Sequence, residues 1–181
     1  MVIQYANGGS LRQYLQRNHQ QLTWNDKIRI VNEIATGLYA IHQENLSHKN
    51  LHPNNILIHD GRTMISDVGY SDIWNSVSIS EMITFLEPLY LHDNSYKRDK
   101  RSDIYSLGVL MCEISSGRPP FESKLISSTS NNNSNNIMKV LKMITMGQRE
   151  QLVVPGAPIN YVQLYKQCWD ADPMRRPLIN Q

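Results

Sequence analysis

The sequence is poor in cysteine and in net charge. It contains only two cysteines, Cys112 and Cys168, and neither lies in a CxxC pair or in a Cys/His cluster with metal spacing. This argues against a disulfide-stapled scaffold and indicates a reducing compartment, so we expect a cytoplasmic protein. The 18 Lys and Arg residues against 16 Asp and Glu leave a formal charge of +2. Nucleic acids and membrane surfaces are bound through a concentrated basic field, so we expect neither as a partner.

Long apolar runs are also absent. The longest, around residues 107–114, is interrupted by Gly108 and Glu113 and is far shorter than a membrane span. The opening residues, MVIQYANGG, show no basic region followed by a small-residue cleavage site, so no secretory signal is predicted. What remains is a chain of 181 residues, of which 40% are hydrophobic. That is enough for one domain with a hydrophobic core.

The pattern of apolar residues, caps and turns predicts a mostly helical domain with one small sheet. Ser10 is expected to cap a short helix, and Ser102 a strongly apolar, central one. Thr23 and Asp26 resemble a capping box before a long helix. The predicted elements, in chain order, are a strand at 1–5, a turn at 7–10, a helix at 11–17, a helix from Thr23 to about Gln43, a hairpin at 56–59 and 62–66, a long surface loop from 69 to about 100, a helix at 103–116, a flexible low-complexity insert at 123–136, and helices at 137–146 and 161–168.

A polar loop at residues 48–57, HKNLHPNNIL, precedes the predicted hairpin, and Asp67-Val68-Gly69 follows it. Such a loop is often only a set of Asn and His side chains that satisfy turn backbone, and Asp67 could be a local turn residue. The spacing favours a sharper interpretation. It resembles the catalytic loop of protein kinases, H-R-D-L-x-x-x-N, which is followed by D-F-G; here Asp67 stands twelve residues after Asn55.

Further segments match the protein kinase family in the family's own order. They are the hinge between the two lobes at 1–11, the start of the central helix at 102–108, the segment SGRPPF at 116–121, and the ending from Cys168-Trp169 to Arg176-Pro177. His52 and this ending resemble the tyrosine-kinase-like group of Ser/Thr kinases. The resemblance implies a protein-kinase-like fold over residues 1–181, with a mainly helical large lobe and a small β-hairpin.

The resemblance also implies a chemistry. The family uses ATP and Mg²⁺ to phosphorylate hydroxyl groups of proteins, mainly by positioning and charge neutralisation. The matching positions are Asn55 and Asp67 for the metal, Gln4, Ala6 and Leu57 for the adenine pocket, and His48, Lys49, Asn50 and His52 in the catalytic loop. Asp103 matches a structural aspartate whose carboxylate binds the backbone of that loop. We therefore expect a protein substrate or a protein partner.

Several of these positions depart from the family pattern. Asn50 stands where a carboxylate receives the substrate proton, and losing such a base costs about 10² to 10⁴ in rate. Lys49 replaces an arginine, which weakens a bidentate grip on a phosphorylated activation loop. His52 replaces a lysine directed at the transferred phosphate, and Val68 replaces a phenylalanine that packs between the lobes. These changes predict an impaired, pseudokinase-like domain.

The end of the activation segment also differs. The family has A-P-E here, and its Glu pairs with a buried Arg; this chain reads Glu87-Pro88-Leu89, while Arg176 aligns with the Arg. Leaving one member of a buried pair alone costs roughly 3 to 5 kcal/mol, so a substitute is expected. We predict that Glu87, on the same side of an extended strand, pairs with Arg176.

Two features of this region have both a functional and an ordinary explanation. The candidate phosphorylation sites are Ser71, Ser76, Ser78, Ser80 and Thr84, although each alone is more often an ordinary loop residue. The mixed-charge run at 97–101 is expected to be a solvated loop rather than a localisation or nucleic-acid patch.

The small lobe of the family is expected to be absent and the last helix of the large lobe truncated, since no Gly-rich phosphate loop, strand Lys or helix Glu is recognisable. Three functions stay open. The chain is an active or weakly active kinase whose small lobe lies in further sequence, a pseudokinase that acts as a scaffold or regulatory binding module, or a truncated gene product of an active kinase. Asn55, Asp67 and Asp103 favour the first, and Asn50 and Val68 favour the second.

Overall fold

The chain folds into seven helices and one small sheet within the part that a computed structural model describes, which is residues 5–68, 82–125, 133–150 and 154–180. The elements are β1 (Gly9–Ser10), α1 (Leu11–Asn18), α2 (Trp24–Gln43), β2 (Ile56–His59), β3 (Arg62–Ile65), α3 (Pro88–His92), α4 (Lys100–Ser116), α5 (Glu122–Leu125), α6 (Asn133–Thr145) and α7 (Ile159–Cys168), with 3-10 turns at His19–Gln21, Ile83–Phe85 and Pro173–Arg175. The prediction of a mostly helical domain with one small sheet is confirmed. Within these ranges no helix is long and apolar enough to cross a membrane.

The first two helices begin as their caps predict. The Ser10 hydroxyl accepts from the Gln13 N–H, and the Gln13 side chain accepts from the Ser10 N–H. Thr23 and Asp26 form the same reciprocal box at the start of α2. Such boxes satisfy donors that a helix N-terminus otherwise leaves without partners. Residues 1–4 of the predicted opening strand lie outside the described ranges, and Tyr5 is not part of a strand.

The sheet has three antiparallel strands, one more than the predicted hairpin. β2 and β3 pair with Ile56 opposite Ile65, and Asp60-Gly61 form the turn between them. Both turn residues have positive φ, 48° and 74°, as a two-residue hairpin turn requires. β1 adds Gly9–Ser10 to the other edge of β2. The sequence predicts a turn here, because a strand of two residues shows no alternating pattern of its own.

The helix α4 is the centre of the core. Every residue from Ser102 to Ser115 is buried, which confirms the expected central position of this helix. It packs against α2 and α7. At Gly108 an added Cβ would lie 2.8 Å from the Cys168 Cβ and 2.9 Å from the backbone nitrogen of Trp169, so glycine allows the close spacing of α4 and α7. Cys112 and Cys168 are both free and buried.

The helix α4 begins earlier than predicted. Its N-cap is Asp99, not Ser102. The Asp99 carboxylate accepts from the N–H groups of Arg101 and Ser102, and the Ser102 hydroxyl accepts from the Asp99 N–H. Two cap-forming residues three positions apart make the sequence pattern ambiguous, and the reciprocal box selects Asp99.

The segment predicted as one surface loop, from 69 to about 100, contains regular structure. Residues 69–81 lie outside the described ranges. From the buried Met82 onwards, the chain forms a 3-10 turn and then α3. The loop prediction is wrong over these residues, because α3 has only five residues and is too short to show helical periodicity. Its start is set by Glu87 as N-cap and Pro88 at the first helical position.

Helices bound the segment predicted as a flexible insert, residues 123–136. α5 covers its first residues, and α6 begins at Asn133, four residues before the predicted helix. Residues 126–132 lie outside the described part of the chain, so the flexibility of the insert stays a prediction. α6 packs Val140 and Ile144 into a second, smaller core cluster. α7 begins two residues before the predicted helix.

Candidate functional site

Asp103 organises the loop at residues 48–57. Its carboxylate is buried, at 0% exposure. Oδ2 accepts from the His48 N–H and from His42 Nε2, each at 2.8 Å, and Oδ1 accepts from the Lys49 N–H at 2.7 Å. A buried carboxylate needs such donors to offset its desolvation. The expected contact between Asp103 and the loop backbone is therefore present.

His42 is a site residue that sequence reasoning missed. It lies in the last turn of α2, at i+4 spacing after the buried Ile34 and Leu38. A histidine that continues an apolar stripe indicates a buried polar partner, and this signal is present in the sequence. The partner, Asp103, is 61 positions away. Only the packing of α2 on α4 brings the two side chains together.

His48 joins the 48–57 loop to the end of β3. Its Nδ1 accepts from the Asn50 N–H at 3.2 Å, so Nε2 carries the proton and donates to the Ser66 carbonyl at 2.8 Å. Burial lowers the pKa of His48, and this outweighs the opposite effects of the Ser66 hydrogen bond and the Asp103 charge. The ring is thus a neutral imidazole at pH 7. It holds the loop against the residue that precedes Asp67.

Asn50 stands at the predicted base position with an unsatisfied amide oxygen. Its Oδ1 is buried and accepts no hydrogen bond from the residues that the structure describes. Its backbone carbonyl accepts from Asn55 Nδ2 at 3.0 Å. A small cavity lies beside it, lined also by Lys49, His52 and Arg98. The side chain therefore presents an acceptor without basicity.

His52 is a buried, neutral imidazole. Desolvation, and then the nearby His48 and Arg12, lower its pKa to about 4. Its Nδ1 accepts from the Asn54 N–H at 3.3 Å. The residue that stands in place of a lysine thus carries no charge at pH 7.

Asn55 and Asp67 flank the hairpin and are linked through Ser66. The Asn55 carbonyl accepts from the Ser66 N–H at 2.9 Å and from the Ser66 hydroxyl at 3.2 Å. The same hydroxyl lies 3.4 Å from Asp67 Oδ2. The side-chain nitrogen of Asn55, Nδ2, donates to the Asn50 carbonyl. The side-chain oxygen of Asn55, Oδ1, is therefore the atom that could bind a cation. Asp67 is exposed and has a positive φ of 57°.

An amide oxygen and a carboxylate are the kinds of ligand that Mg²⁺ takes from proteins. The ion commonly takes one or two side-chain oxygens from a protein and fills its other positions with water and substrate phosphate oxygens. In the described ranges, no cluster of three or more His, Cys, Asp or Glu could hold a metal without such help. A magnesium site here would therefore depend on a bound nucleotide.

The positions expected to face adenine are only partly described. Gln4 lies outside the described ranges. Ala6 is half-buried and begins a turn that is bound to β2 through the Gly8 N–H and the Ile58 carbonyl, 2.8 Å apart. Leu57, also half-buried, precedes Ile58 in β2. The structure thus places Ala6 and Leu57 in neighbouring segments.

Arg98 is a neighbour of Lys49 that sequence reasoning missed. Lys49 has a positive φ of 66°, and its carbonyl accepts from Arg98 Nη1. The Arg98 guanidinium lies 4.5 Å from the centroid of the Tyr90 ring. Arg98 therefore places a guanidinium next to Lys49, which stands where the family has an arginine.

Three further residues of the charged run at 97–101 also form hydrogen bonds. Asp99 caps α4, Lys100 Nζ donates to the Asn45 side chain at 3.1 Å, and Arg101 donates to the Pro173 carbonyl at 2.8 Å. Together with the contact of Arg98 with the Lys49 carbonyl, these bonds show that the expectation of a solvated loop is wrong from residue 98 onwards. Mixed charge in the sequence does not distinguish free side chains from those that cap and tie helices.

The ion pair expected between Glu87 and Arg176 is present. Two guanidinium nitrogens lie 2.5 and 2.9 Å from the two carboxylate oxygens, and both side chains are 0% exposed. Arg176 Nε also donates to the Asp170 carbonyl at 2.8 Å, and the guanidinium packs 5.1 Å from the Tyr105 ring centroid. One part of the expectation is wrong, since Glu87 is the N-cap of α3 and does not lie on an extended strand.

The activation segment is described only at its two ends. Of the candidate phosphorylation sites, the ones outside the described ranges are Ser71, Ser76, Ser78 and Ser80. Thr84 lies in a 3-10 turn and is 2% exposed, so its hydroxyl is inaccessible in this structure. Val68 is 44% exposed and does not take the place of a packed aromatic ring.

The described residues thus form a mostly helical domain in which Asn55 and Asp67 flank a hairpin, next to a loop that the buried Asp103 orders. Comparison with known proteins identifies the family of this domain. The family model described as protein kinase domain matches residues 1–181. The chain therefore belongs to the protein kinase domain family.

Similar curated proteins include Ser/Thr kinases. The chain is 28% identical over 200 residues to the dual specificity protein kinase zakA of Dictyostelium discoideum, covering 98% of this chain and 24% of zakA. It is 28% identical over 187 residues to Aurora kinase C of Mus musculus, covering 98% of this chain and 67% of that kinase. The match to human receptor-interacting serine/threonine-protein kinase 1 is 25% identical over 198 residues and covers 98% of this chain and 28% of that protein. The chain thus spans about a quarter of two of these relatives.

Proposed function

We propose that this chain is a catalytically impaired, pseudokinase-like domain that acts by binding protein partners. The observation that carries the proposal is Asn50, an amide at the position of the proton-accepting carboxylate. The loop around it is otherwise ordered by Asp103 and His48. Because an amide takes up no proton near pH 7, the expected loss is about 10² to 10⁴ in rate, or about 3 to 5 kcal/mol of transition-state stabilisation.

Two neighbours of Asn50 support the proposal. A cation beside the transferred phosphate would stabilise its developing charge, but the neutral His52 supplies none. Val68 has no aromatic ring, so it does not provide the packed aromatic contact that the family resemblance associates with an active arrangement. Neither residue replaces what Asn50 lacks.

The residues present fit ATP and Mg²⁺ in part. When bound, ATP and Mg²⁺ supply the phosphoryl group and neutralise its charge. Asn55 Oδ1 and the Asp67 carboxylate would hold the metal, while Ala6 and Leu57 would line one wall of the adenine pocket. We expect weak nucleotide binding by these 181 residues alone, because no Gly-rich loop or strand Lys is recognisable among them.

The proposed branch of the family is the tyrosine-kinase-like group of Ser/Thr kinases. His52 and the ending from Cys168-Trp169 to Arg176-Pro177 support this assignment. In the structure Trp169 packs edge to face on Tyr165 at 5.1 Å, and Arg176 is buried in its ion pair. This ending therefore has a packing role that is independent of catalysis.

The test is Asn50→Asp, with Asn54→Asp as the matched control. Both variants add one carboxylate to the same loop, but only the first adds it at the base position. Phosphate transfer from Mg·ATP to a protein substrate is measured with the chain expressed together with any coding sequence that continues its frame upstream of Met1. Asn50→Asp is expected to raise transfer by about 10² or more, and Asn54→Asp to leave it unchanged.

An active or weakly active kinase is the second candidate. The bond from the His48 N–H to Asp103 and the link of Asn55 and Asp67 through Ser66 support it. The same experiment separates the two. Transfer by the unmodified protein at ordinary kinase rates, about 1 to 100 s⁻¹, would contradict the impaired-kinase proposal.

A further inference from the structure

We propose that a basic groove beside α7 binds an acidic segment of a partner protein. The groove has a volume of about 810 Å³. It is lined by Lys124, Met143, Gly147, Gln148, Arg149, Glu150, Lys166 and Trp169. None of these residues lines the cavity beside Asn50. The inference rests on the proposed function only in that the partner is a protein.

The charge of the groove is strongly unbalanced. Lys124, Arg149 and Lys166 face a single carboxylate, Glu150. That carboxylate is already engaged, since Oε2 accepts from the Phe121 N–H and Oε1 lies 3.6 Å from an Arg118 nitrogen. The two lysines are exposed and form no ion pair with any residue in the described ranges. The charged side chains that line the groove thus sum to +2, and neither exposed lysine is in an ion pair within the described ranges.

Arg149 is held in place before any partner arrives. Its Nε donates to the Trp169 carbonyl at 2.9 Å, and Nη1 donates to the carbonyls of Ile144 and Gln148 at 3.1 and 2.9 Å. The remaining nitrogen, Nη2, is buried and has no hydrogen-bond partner in the described part of the chain. The guanidinium also lies 5.3 Å from the centroid of the buried Tyr105 ring. Arg149 therefore places a fixed positive charge in the wall of the groove, and this charge attracts an acidic segment without direct contact to Nη2.

The apolar lining of the groove restricts the partner further. Met143 and Trp169 also line the groove. Trp169 is only 4% exposed, whereas Met143 is half-buried, and a methionine adapts its shape to an incoming apolar side chain. A segment that carries acidic residues around one or two large apolar residues matches this lining. Polyanionic nucleic acid fits less well, because it binds through many phosphate contacts and this groove offers three cations in a chain of net charge +2.

The experiment uses the 181-residue chain and a fluorescein-labelled peptide with two central leucines flanked on each side by three glutamates. Binding is followed by fluorescence polarisation at low salt. The double variant Lys124→Glu with Lys166→Glu is expected to weaken binding by about tenfold or more, since two exposed charge pairs are lost and reversed. The matched control is Lys139→Glu with Lys142→Glu, which reverses two exposed lysines of α6 that do not line the groove. We expect the control to retain binding.

Three outcomes would overturn the inference. The first is that the control variant loses as much binding as the groove variant. The second is that a peptide with lysines in place of the glutamates binds as tightly as the acidic peptide. The third is that inorganic phosphate displaces the peptide at an ionic strength where sodium chloride has no effect. Amide shifts at Gly147 and Lys166 in ¹H–¹⁵N spectra on adding the peptide would support it, and shifts confined to other residues would oppose it. Failure of peptide binding leaves the Asn50→Asp transfer experiment unaffected, so the two proposals fail separately.

Discussion

The buried pair Glu87–Arg176 offers a sharp test of the fold. Glu87→Gln keeps the size of the side chain and removes its charge. Arg176 retains its hydrogen bonds to the carbonyls of Asp170 and Arg101 but loses its counter-charge at a site with 0% exposure. Changing one partner of a buried pair costs about 3 to 5 kcal/mol. This is a large part of the roughly 5 to 15 kcal/mol by which a domain is normally stable.

The assay is urea unfolding followed by circular dichroism. With a denaturant dependence of about 2 kcal/mol per molar urea, the midpoint of Glu87→Gln is expected to fall by about 2 M. Glu44→Gln is the control, because Glu44 is exposed at the end of α2 and its substitution should stay within about 0.5 kcal/mol of wild type. The double change Glu87→Leu with Arg176→Met removes both charges and should be less damaging than Glu87→Gln. A Glu87→Gln midpoint within about 0.2 M of wild type would refute this reasoning.

Two further predictions concern helix spacing and pH. Gly108→Ala places a Cβ 2.8 Å from the Cys168 Cβ and should cost about 1 to 3 kcal/mol of unfolding free energy. The Cβ added by Gly37→Ala in α2 meets only the flexible end of Ile65, at 3.1 Å, so the unfolding free energy of this variant should stay within about 1 kcal/mol of wild type. Equal losses of unfolding free energy in the two variants would contradict the packing account. His52 titrates near pH 6.5 when unfolded and near pH 4 when folded, so the unfolded chain binds more protons in this window and stability falls by up to about 3 kcal/mol as the pH is lowered through it. His52→Asn should flatten that part of the stability profile, and an unchanged slope would assign it to another group.

Local signals predicted much of the secondary structure. Ser10, Thr23 and Asp26 set the starts of α1 and α2 through bonds that span three residues, so the sequence pattern contains all of their partners. β1 and α3 were missed for the opposite reason. Each is too short to show a period, and each exists because it lies against a distant part of the chain, as when Gly9–Ser10 pair with β2.

The candidate site divides in the same way. The spacing between Asn50, Asn55 and Asp67 is a property of the linear chain. The resemblance to a catalytic loop and the amide at the expected base position could therefore be predicted directly. The bond between His42 and Asp103 spans 61 positions, and the contact of Arg98 with the Lys49 carbonyl spans 49. No local pattern specifies such partners, because they depend on how α4 packs against α2 and the loop.

The sequence by itself determined which residue types stand at the candidate catalytic positions, and with them the expectation of impaired transfer. Tertiary structure decided the charge state and the partners of those side chains. Burial makes His52 neutral. Long-range packing joins Glu87 to Arg176 and leaves Asn50 Oδ1 without a donor among the described residues. The physical reason is that residue identity follows from the chain alone. Charge state and hydrogen bonding, in contrast, depend on the solvent and neighbours that only the folded chain defines.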